Sequence, residues 1–314
     1  MKNLQVQDAV REKQKALIGM VGPSGSGKSL SSLLLAYGII NAMMPDATEE
    51  EKWSKVGCAD TEHKRLLNYV GQEWYGVKIG AFKYINFEPP FNKDRYDMAI
   101  KLLKQQGVEV IVVDSLSHQW QGEGGVVETH GGMQGNSFQN WGKLAPQSSG
   151  LVKALTTQDV HVITTLRVKS DYVIELVEGK NVPKKVGMKP IQKDDMEYEF
   201  DTVFSIDMDH TARIAKDITN LFDGEFTVNP EVGEKLFRYL ELGVDVQAEE
   251  RAKREAAEKE RQENVTKIRE LSSTDEEVAK IVSDAEFKSN MQLEKMPTRY
   301  VDALIEKLGG KLNV

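Results

Sequence analysis

The apolar run ALIGMV at 16–21 leads directly into GPSGSGKS at 22–29, and then into a stretch with Leu30, Leu33, Leu34 and Tyr37 at helical spacing. A buried strand, a glycine-rich turn and a helix in immediate succession admit few folds. The eight residues satisfy G-x-x-x-x-G-K-[ST] in full. Gly22, Gly25 and Gly27 let the backbone curl so that successive N–H groups converge on one anion. The helix beginning near Lys28 adds its positive N-terminal end. Gly22, Pro23, Ser24, Gly25, Ser26, Gly27, Lys28, Ser29 and Leu30 are therefore expected to form a phosphate site. In it Lys28 reaches the outer phosphates of ATP and Ser29 ligates Mg²⁺.

The rest of the chain supplies strands and helices in alternation. KVGCAD (55–60), FKYINF (82–87), VEVIVV (108–113) and DVHVITTL (159–166) read as strands. Helical patterns fall at 94–106 and 149–158. This predicts an α/β fold with a mainly parallel, twisted sheet covered by helices. The segments 198–208 and 211–216 read as antiparallel strands at the sheet edge, and YVIELV-EGKN-VPKKVGM (172–188) as a hairpin. Between 119 and 148 seven glycines are interspersed with Trp120, Phe138 and Trp141, which reads as a long functional loop.

With 314 residues the chain has room for more than one unit. Residues 247–264 carry eleven charges, five positive and six negative, with Ala as the only apolar type. They read as a charged helical linker between a core at 1–246 and a small helical unit at 265–314. In that last unit Tyr300, Val301, Leu304, Ile305 and Leu308 share a helical face. The net charge of −8 excludes a globally basic nucleic-acid coat, but residues 179–193 hold five lysines and no acid. The single cysteine, Cys58, excludes a disulfide framework or Cys-based zinc site within the chain and favours a reducing compartment. MKNLQVQDAVREKQK has no apolar signal core, so the expected location is the cytoplasm, with no membrane partner.

Asp114 ends the most apolar strand, where open α/β sheets bind ligands, and is expected to hold the Mg²⁺ shell with Ser29. Hydrolysis also needs a carboxylate to orient water. Glu62, in CADTEH, and Glu88, in NFEPPF, each follow a strand, and spacing does not choose between them. The five histidines show no zinc spacing. His161 reads as a buried structural histidine and His210 as part of a turn.

GPSGSGKS, CADTEH and VEVIVVDSLS together resemble the ATPase core of the RecA/RadA recombinases, over roughly residues 14–215. The stretch RVKSDYVIE…GKNVPKKVGMKPIQKDDMEYEFDTVFSID resembles phage-encoded RecA-like ATPases, the AAA-family ATP-binding proteins. The resemblance implies that Glu62 is the catalytic base, with Glu88 the runner-up. It also implies that ITTLRVK (163–169) is the sensor strand, placing Thr165 and Arg167 at the nucleotide. Thr165 stands where the recombinases carry glutamine. By the same resemblance Lys185 and Lys189 complete a neighbouring subunit's ATP site in a head-to-tail ring or filament. The 119–148 segment falls where such proteins contact DNA, so Trp120, Phe138 and Trp141 are expected to stack on the bases of single-stranded DNA.

The implied function is ATP hydrolysis coupled to single-stranded DNA handling in phage recombination or replication, in the host cytoplasm. The alternatives are an ATP-dependent adaptor or loader that recruits a recombination or replication partner through the tail, and a P-loop small-molecule kinase. The absence of any arginine from 96 to 166 disfavours the kinase, whose lid would need them.

Overall fold

A computed structural model describes residue 6 and residues 8–156, 159–177 and 180–309; the side chains of 172–177, 180–186, 247, 249–251 and 254 lie outside that description. In chain order the elements are β1 (Leu17–Gly22), α1 (Lys28–Met43), α2 (Glu49–Ser54), β2 (Val56–Asp60), the short ribbon β3 (Glu73–Trp74) and β4 (Val77–Lys78), and β5 (Lys83–Asn86). There follow α3 (Lys93–Gln105), β6 (Val110–Asp114), α4 (Ser117–Gln121), α5 (Val126–Gly131), α6 (Ser137–Thr156), β7 (His161–Val177) and β8 (Lys180–Pro190). Next come β9 (Thr202–Ile206), β10 (Ala212–Asp217), β11 (Glu225–Phe226), α7 (Pro230–Leu240), α8 (Val246–Thr274), α9 (Glu276–Ser289) and α10 (Thr298–Leu308).

The central sheet has the order β11-β10-β9-β1-β7-β6-β2-β5, with β8 paired to the outer part of β7. Strands β9, β1, β7, β6, β2 and β5 are mutually parallel, while β10 and β11 add an antiparallel edge. The chain is thus a mixed α/β protein with a mostly parallel central sheet, as the alternation predicts. Because β1 and β6 are covered on both sides, their residues carry no charge before Asp114 and divide by parity. Ile18, Met20, Val110 and Val112 join Leu33, Leu35 and Leu236 in one core. Leu17, Val21, Ile111 and Val113 join Ile100, Leu103, Leu151 and Leu155 in the other.

Helices α1 and α7 cross at glycines. A Cβ on Gly38 would lie 1.9 Å from the Pro230 carbonyl oxygen, and one on Gly233 would lie 2.3 Å from that of Leu35. Backbone on both sides leaves nothing to yield. Gly38→Ala is expected to destabilise by about 1–3 kcal/mol through forced separation of the helices. Urea unfolding of the variant checks this.

His161 begins β7 fully buried, its Nδ1 accepting from the Ala16 amide at 3.2 Å. Burial, helped by the nearby Lys15 charge, pulls its pKa down to about 3. The unfolded chain binds this proton near the ordinary value of about 6.5. The stabilising contribution is therefore complete above that pH and lost as pH falls towards 3. Within this window wild type should lose about 1.4 kcal/mol per pH unit more than His161→Asn, which keeps an acceptor for Ala16. Denaturation midpoints at pH 7, 5.5 and 4 measure the difference.

The 119–148 segment corrects the expectation of a loop: it contains the end of α4, all of α5 and most of α6. Only Gly124 (φ 71°) and Gly135 (φ 98°) need the left-handed region, and they fall between helices. Gly142 lies inside α6 and faces open space, so its presence marks no turn. The predicted helix at 149–158 is the second part of α6, its last two positions lying outside the described residues. The sheet strand at 159–166 and the first arm of the hairpin are one 17-residue strand, β7. The pairing with β8 runs from Val168↔Pro190 to Val177↔Lys180; positions 178 and 179 of the predicted turn lie outside the described residues.

The chain divides into two compact units, Lys13–Leu242 and a second that joins Met1–Glu12 to Gly243–Val314. The charged 247–264 stretch is the first part of the 29-residue helix α8. In this second unit Val265, Ile268, Val278, Val282, Leu293, Val301, Leu304 and Leu308 form a core. Arg269 clasps Glu286 and Glu294 beside it at 2.6 and 2.7 Å. Among the described residues no helix is long and apolar enough to cross a membrane.

Candidate functional site

Parallel pairing brings the chemistry to one end of the sheet. The register sets Gly22 beside Arg167 and Asp60 beside Asp114, each near the carboxyl end of the core part of its strand. A cavity of about 370 Å³ opens there. Ser24, Gly25, Gly27, Lys28, Ser29 and Leu30 line it along the loop, facing Glu62, Arg65, Asp114 and Arg167.

The loop is built for a bound anion. Gly25 and Gly27 take φ values of 85° and 90°. A Cβ at Gly22 would lie 2.4 Å from the Ile206 carbonyl oxygen. Ser26 is fully buried and its hydroxyl has no partner among the described residues. Lys28, 8 % exposed, turns back to donate to the carbonyls of Gly22 at 2.8 Å and Pro23 at 2.7 Å. Burial lowers its pKa, opposed by the negative charges of Asp114 and Glu62. These are weak partners for an ammonium, and a phosphate would replace them with charged oxygens.

Asp114 is buried with both oxygens occupied. Oδ2 accepts from Ser29 Oγ at 2.6 Å and Oδ1 from Thr165 Oγ1. Burial raises its pKa, and the two hydroxyl donors work against that rise. Ser29 and Asp114, in direct contact at the mouth of the loop, are a hydroxyl–carboxylate pair of the hard-oxygen type that suits Mg²⁺. The predicted metal pair and Thr165 are thus brought together.

Glu62 is 5 % exposed and gripped from the side. Arg167 Nε donates to Oε1 at 2.6 Å and Nη2 to Oε2, a fork-to-fork pair, while Arg65 stands 3.7 Å away. Burial pushes the Glu62 carboxyl up, but the Arg167 hydrogen bonds and charge outweigh it and hold its pKa below the ordinary value. Arg167 is in turn anchored through its amide, which donates to Ser117 Oγ at 2.9 Å. Glu88 is exposed, accepts from Asn86 at 2.7 Å and does not line the cavity. Of the two carboxylates, the structure brings only Glu62 to the loop.

Several contributors escaped the sequence reading. Asp60 accepts from the amides of Glu62 at 2.7 Å and Leu66 at 3.1 Å, fixing the turn that presents Glu62. Tyr69, Trp74 and Tyr75 make an aromatic wall, with Thr227 and Val228 also on the lining. His210 Nδ1 lies 3.1 Å from the Ser26 carbonyl, so the turn after β9 rests on the phosphate loop. A Cβ at Gly27 would meet the His210 ring at 3.0 Å, so the glycine leaves room for this contact.

The remaining predicted residues lie elsewhere. Lys189 is not on this cavity; it faces Asp171 across the β7–β8 ribbon at 3.6 Å. The Lys185 side chain, with those of Lys180 and Lys184, lies outside the described residues. Trp120 stacks on Trp141 with ring centroids 5.8 Å apart, and His130 on the other partner of that pair, Trp141, at 4.0 Å. Two of the three aromatics expected to meet bases are therefore occupied with each other, whereas Phe138 is 87 % exposed.

No curated protein matches the chain. A family model described as AAA domain matches residues 80–269, more than half of the sequence, including Asp114, Thr165 and Arg167. The phosphate loop at 22–29 precedes the matched segment and adds its own full motif. With a nucleotide-type loop, a hydroxyl–carboxylate pair and a second carboxylate facing them on a parallel sheet, the chain belongs to the AAA domain family and is an AAA-type P-loop ATPase.

Proposed function

We propose that the protein is a RecA-like ATPase that hydrolyses ATP, with Glu62 as the catalytic base, and couples this to the handling of single-stranded DNA in phage recombination or replication. The convergence of Lys28, Ser29, Asp114, Glu62 and Arg167 on one cavity carries this reading. Lys28 leaves the Gly22 and Pro23 carbonyls for the β- and γ-phosphate oxygens, and the loop backbone supplies further donors. Tyr69, Trp74 and Tyr75 offer flat faces to the base. Ser29 and Asp114 hold Mg²⁺, which supplies positive charge to the β- and γ-oxygens when bound. Arg167 is drawn from Glu62 towards the γ-phosphate, and the released carboxylate aligns a water in line with the bond to be broken.

Lys189 stands outside its own chain's cavity, which suits a role in the site of a neighbour, with Lys185 the second candidate. A head-to-tail ring or filament follows. Phe138 and the described ribbon lysines Lys169 and Lys189 offer an exposed ring and cationic charge to an unpaired strand. The reading is tested by phosphate release with and without single-stranded DNA at low salt, together with nucleotide-dependent mass measurement. Turnover that DNA stimulates, in an ATP-dependent oligomer, is expected. Turnover without DNA binding leaves the ATPase and removes the DNA role.

The Glu62–Arg167 pair also favours a second reading. A carboxylate tied this firmly suits an adaptor that assembles on ATP and turns over little. ATP-driven assembly with no phosphate release would select it.

A further inference from the structure

His118 is the second residue of α4, immediately beyond the β6 end that carries Asp114. Its Nδ1 lies 2.6 Å from the hydroxyl of Thr61, the residue before Glu62. The same hydroxyl accepts from the Ser115 amide at 2.7 Å and lies 3.2 Å from the Ser115 carbonyl. The Thr61 amide donates to the Asp114 carbonyl at 2.6 Å. Every described hydrogen bond of Thr61 therefore goes to the β6–α4 junction. The His118 ring is held flat against Phe91, centroids 5.0 Å apart, and the Phe91 amide donates to the Glu123 carbonyl at 2.7 Å.

These contacts divide the positioning of Glu62 among three groups. Asp60 fixes its amide and Arg167 its carboxylate, while His118 fixes the neighbouring side chain from the α4 side. Once Arg167 is drawn to an anionic nucleotide, the carboxylate loses its hydrogen-bonded side-chain partner and keeps only the more distant Arg65, at 3.7 Å. Its aim then depends on the backbone at 60–62, which Asp60 and the Thr61–His118 bond hold. Two residues beyond His118, Trp120 joins the ring stack that links α4 to α6, so a shift in that stack reaches Thr61 through one short helix.

We propose that His118 is a positioning residue for Glu62, acting through the Thr61 hydroxyl and tying the Glu62 turn to α4. This rests on the reading in which Glu62 aligns the attacking water. His118 does not line the nucleotide cavity, so its effect should fall on the chemical step and not on ATP binding.

The test compares wild type, His118→Ala and His118→Asn, the last keeping an amide atom near the place of Nδ1. For His118→Ala, kcat should fall roughly tenfold with KM for ATP changed by no more than about twofold. His118→Asn should recover most of the loss. Hydrogen exchange at the Glu62 and Leu66 amides of the nucleotide-free protein should quicken in His118→Ala and return towards wild type in His118→Asn. An unchanged kcat in His118→Ala, or an Asn variant as slow as Ala, overturns the proposal. A wild type without turnover removes the ATPase reading instead. Exchange then decides alone, and unaltered protection at Glu62 and Leu66 overturns the positioning role.

Discussion

Glu62→Gln should bind ATP as wild type does and lose roughly 10²–10⁴-fold in turnover, the range associated with removing a positioned general base. The substitution keeps shape and hydrogen-bonding reach while abolishing basicity. It also breaks the charge pair with Arg167, whose guanidinium is then free to turn to the phosphates. Bound ATP should therefore persist, and any ATP-dependent assembly with it. The complementary variant separates the two roles of this pair. In Arg167→Ala, burial remains and its largest counterweight is gone, so the Glu62 pKa rises. A base needs its ionised form, so the pH–rate profile of Arg167→Ala should gain an acid limb, turnover falling at a higher pH than in wild type. Steady-state phosphate release from pH 5 to 8, with nucleotide binding measured alongside, reads both effects. Turnover by Glu62→Gln at the wild-type rate would exclude Glu62 as the base.

How much of this was legible in the chain depends on how local the signal is. The β1–loop–α1 unit and β6 could be read because their apolar runs, glycines and helix start lie within a few residues of one another. The antiparallel pairing of β9 with β10 follows from two short segments flanking one turn, but β9 itself is not an edge strand: it lies inside the sheet, parallel to β1, and residues 198 and 199 belong to a short 3-10 helix instead of the strand. The choice of Glu62 over Glu88 needed either a resemblance or the fold, since both follow a strand. What separates them is that the Glu62 turn is pinned by Asp60 and Thr61 against β6, whereas Glu88 faces solvent. Arg167 grips Glu62 across 105 residues through a register no spacing reveals. The helices of 119–148 are hidden in the chain because seven glycines mask the helical pattern. The glycines that leave helical geometry, Gly122 and Gly125 in extended and Gly124 and Gly135 in left-handed conformation, fall at helix ends and between helices, and the Trp120–Trp141–His130 stack that packs the segment joins positions far apart in sequence. His210 is the same case, a turn residue given meaning only by the loop it touches.

Lys28→Ala should reduce turnover by about 10²-fold or more, the scale seen when one preorganised charge donor is removed from a reacting centre. Unlike Glu62→Gln, it should also weaken ATP binding, because the ammonium meets phosphate oxygens in the ground state and in the transition state alike. The fold should tolerate the change. Lys28 is buried, and burial lowers its pKa despite the opposing charges of Asp114 and Glu62, so its present surroundings do not fully compensate the charged form for lost water. Deleting it relieves a desolvated charge and leaves Gly22 and Pro23 with carbonyls that water at the open cavity can reach. The nucleotide-free variant is thus expected to melt within a few degrees of wild type, while the rise in melting temperature that ATP and magnesium give the wild-type protein should largely disappear. Thermal unfolding with and without nucleotide, read beside phosphate release, distinguishes lost binding from lost folding. Full ligand stabilisation in Lys28→Ala would mean that the loop backbone and Ser29 hold the phosphates without the lysine.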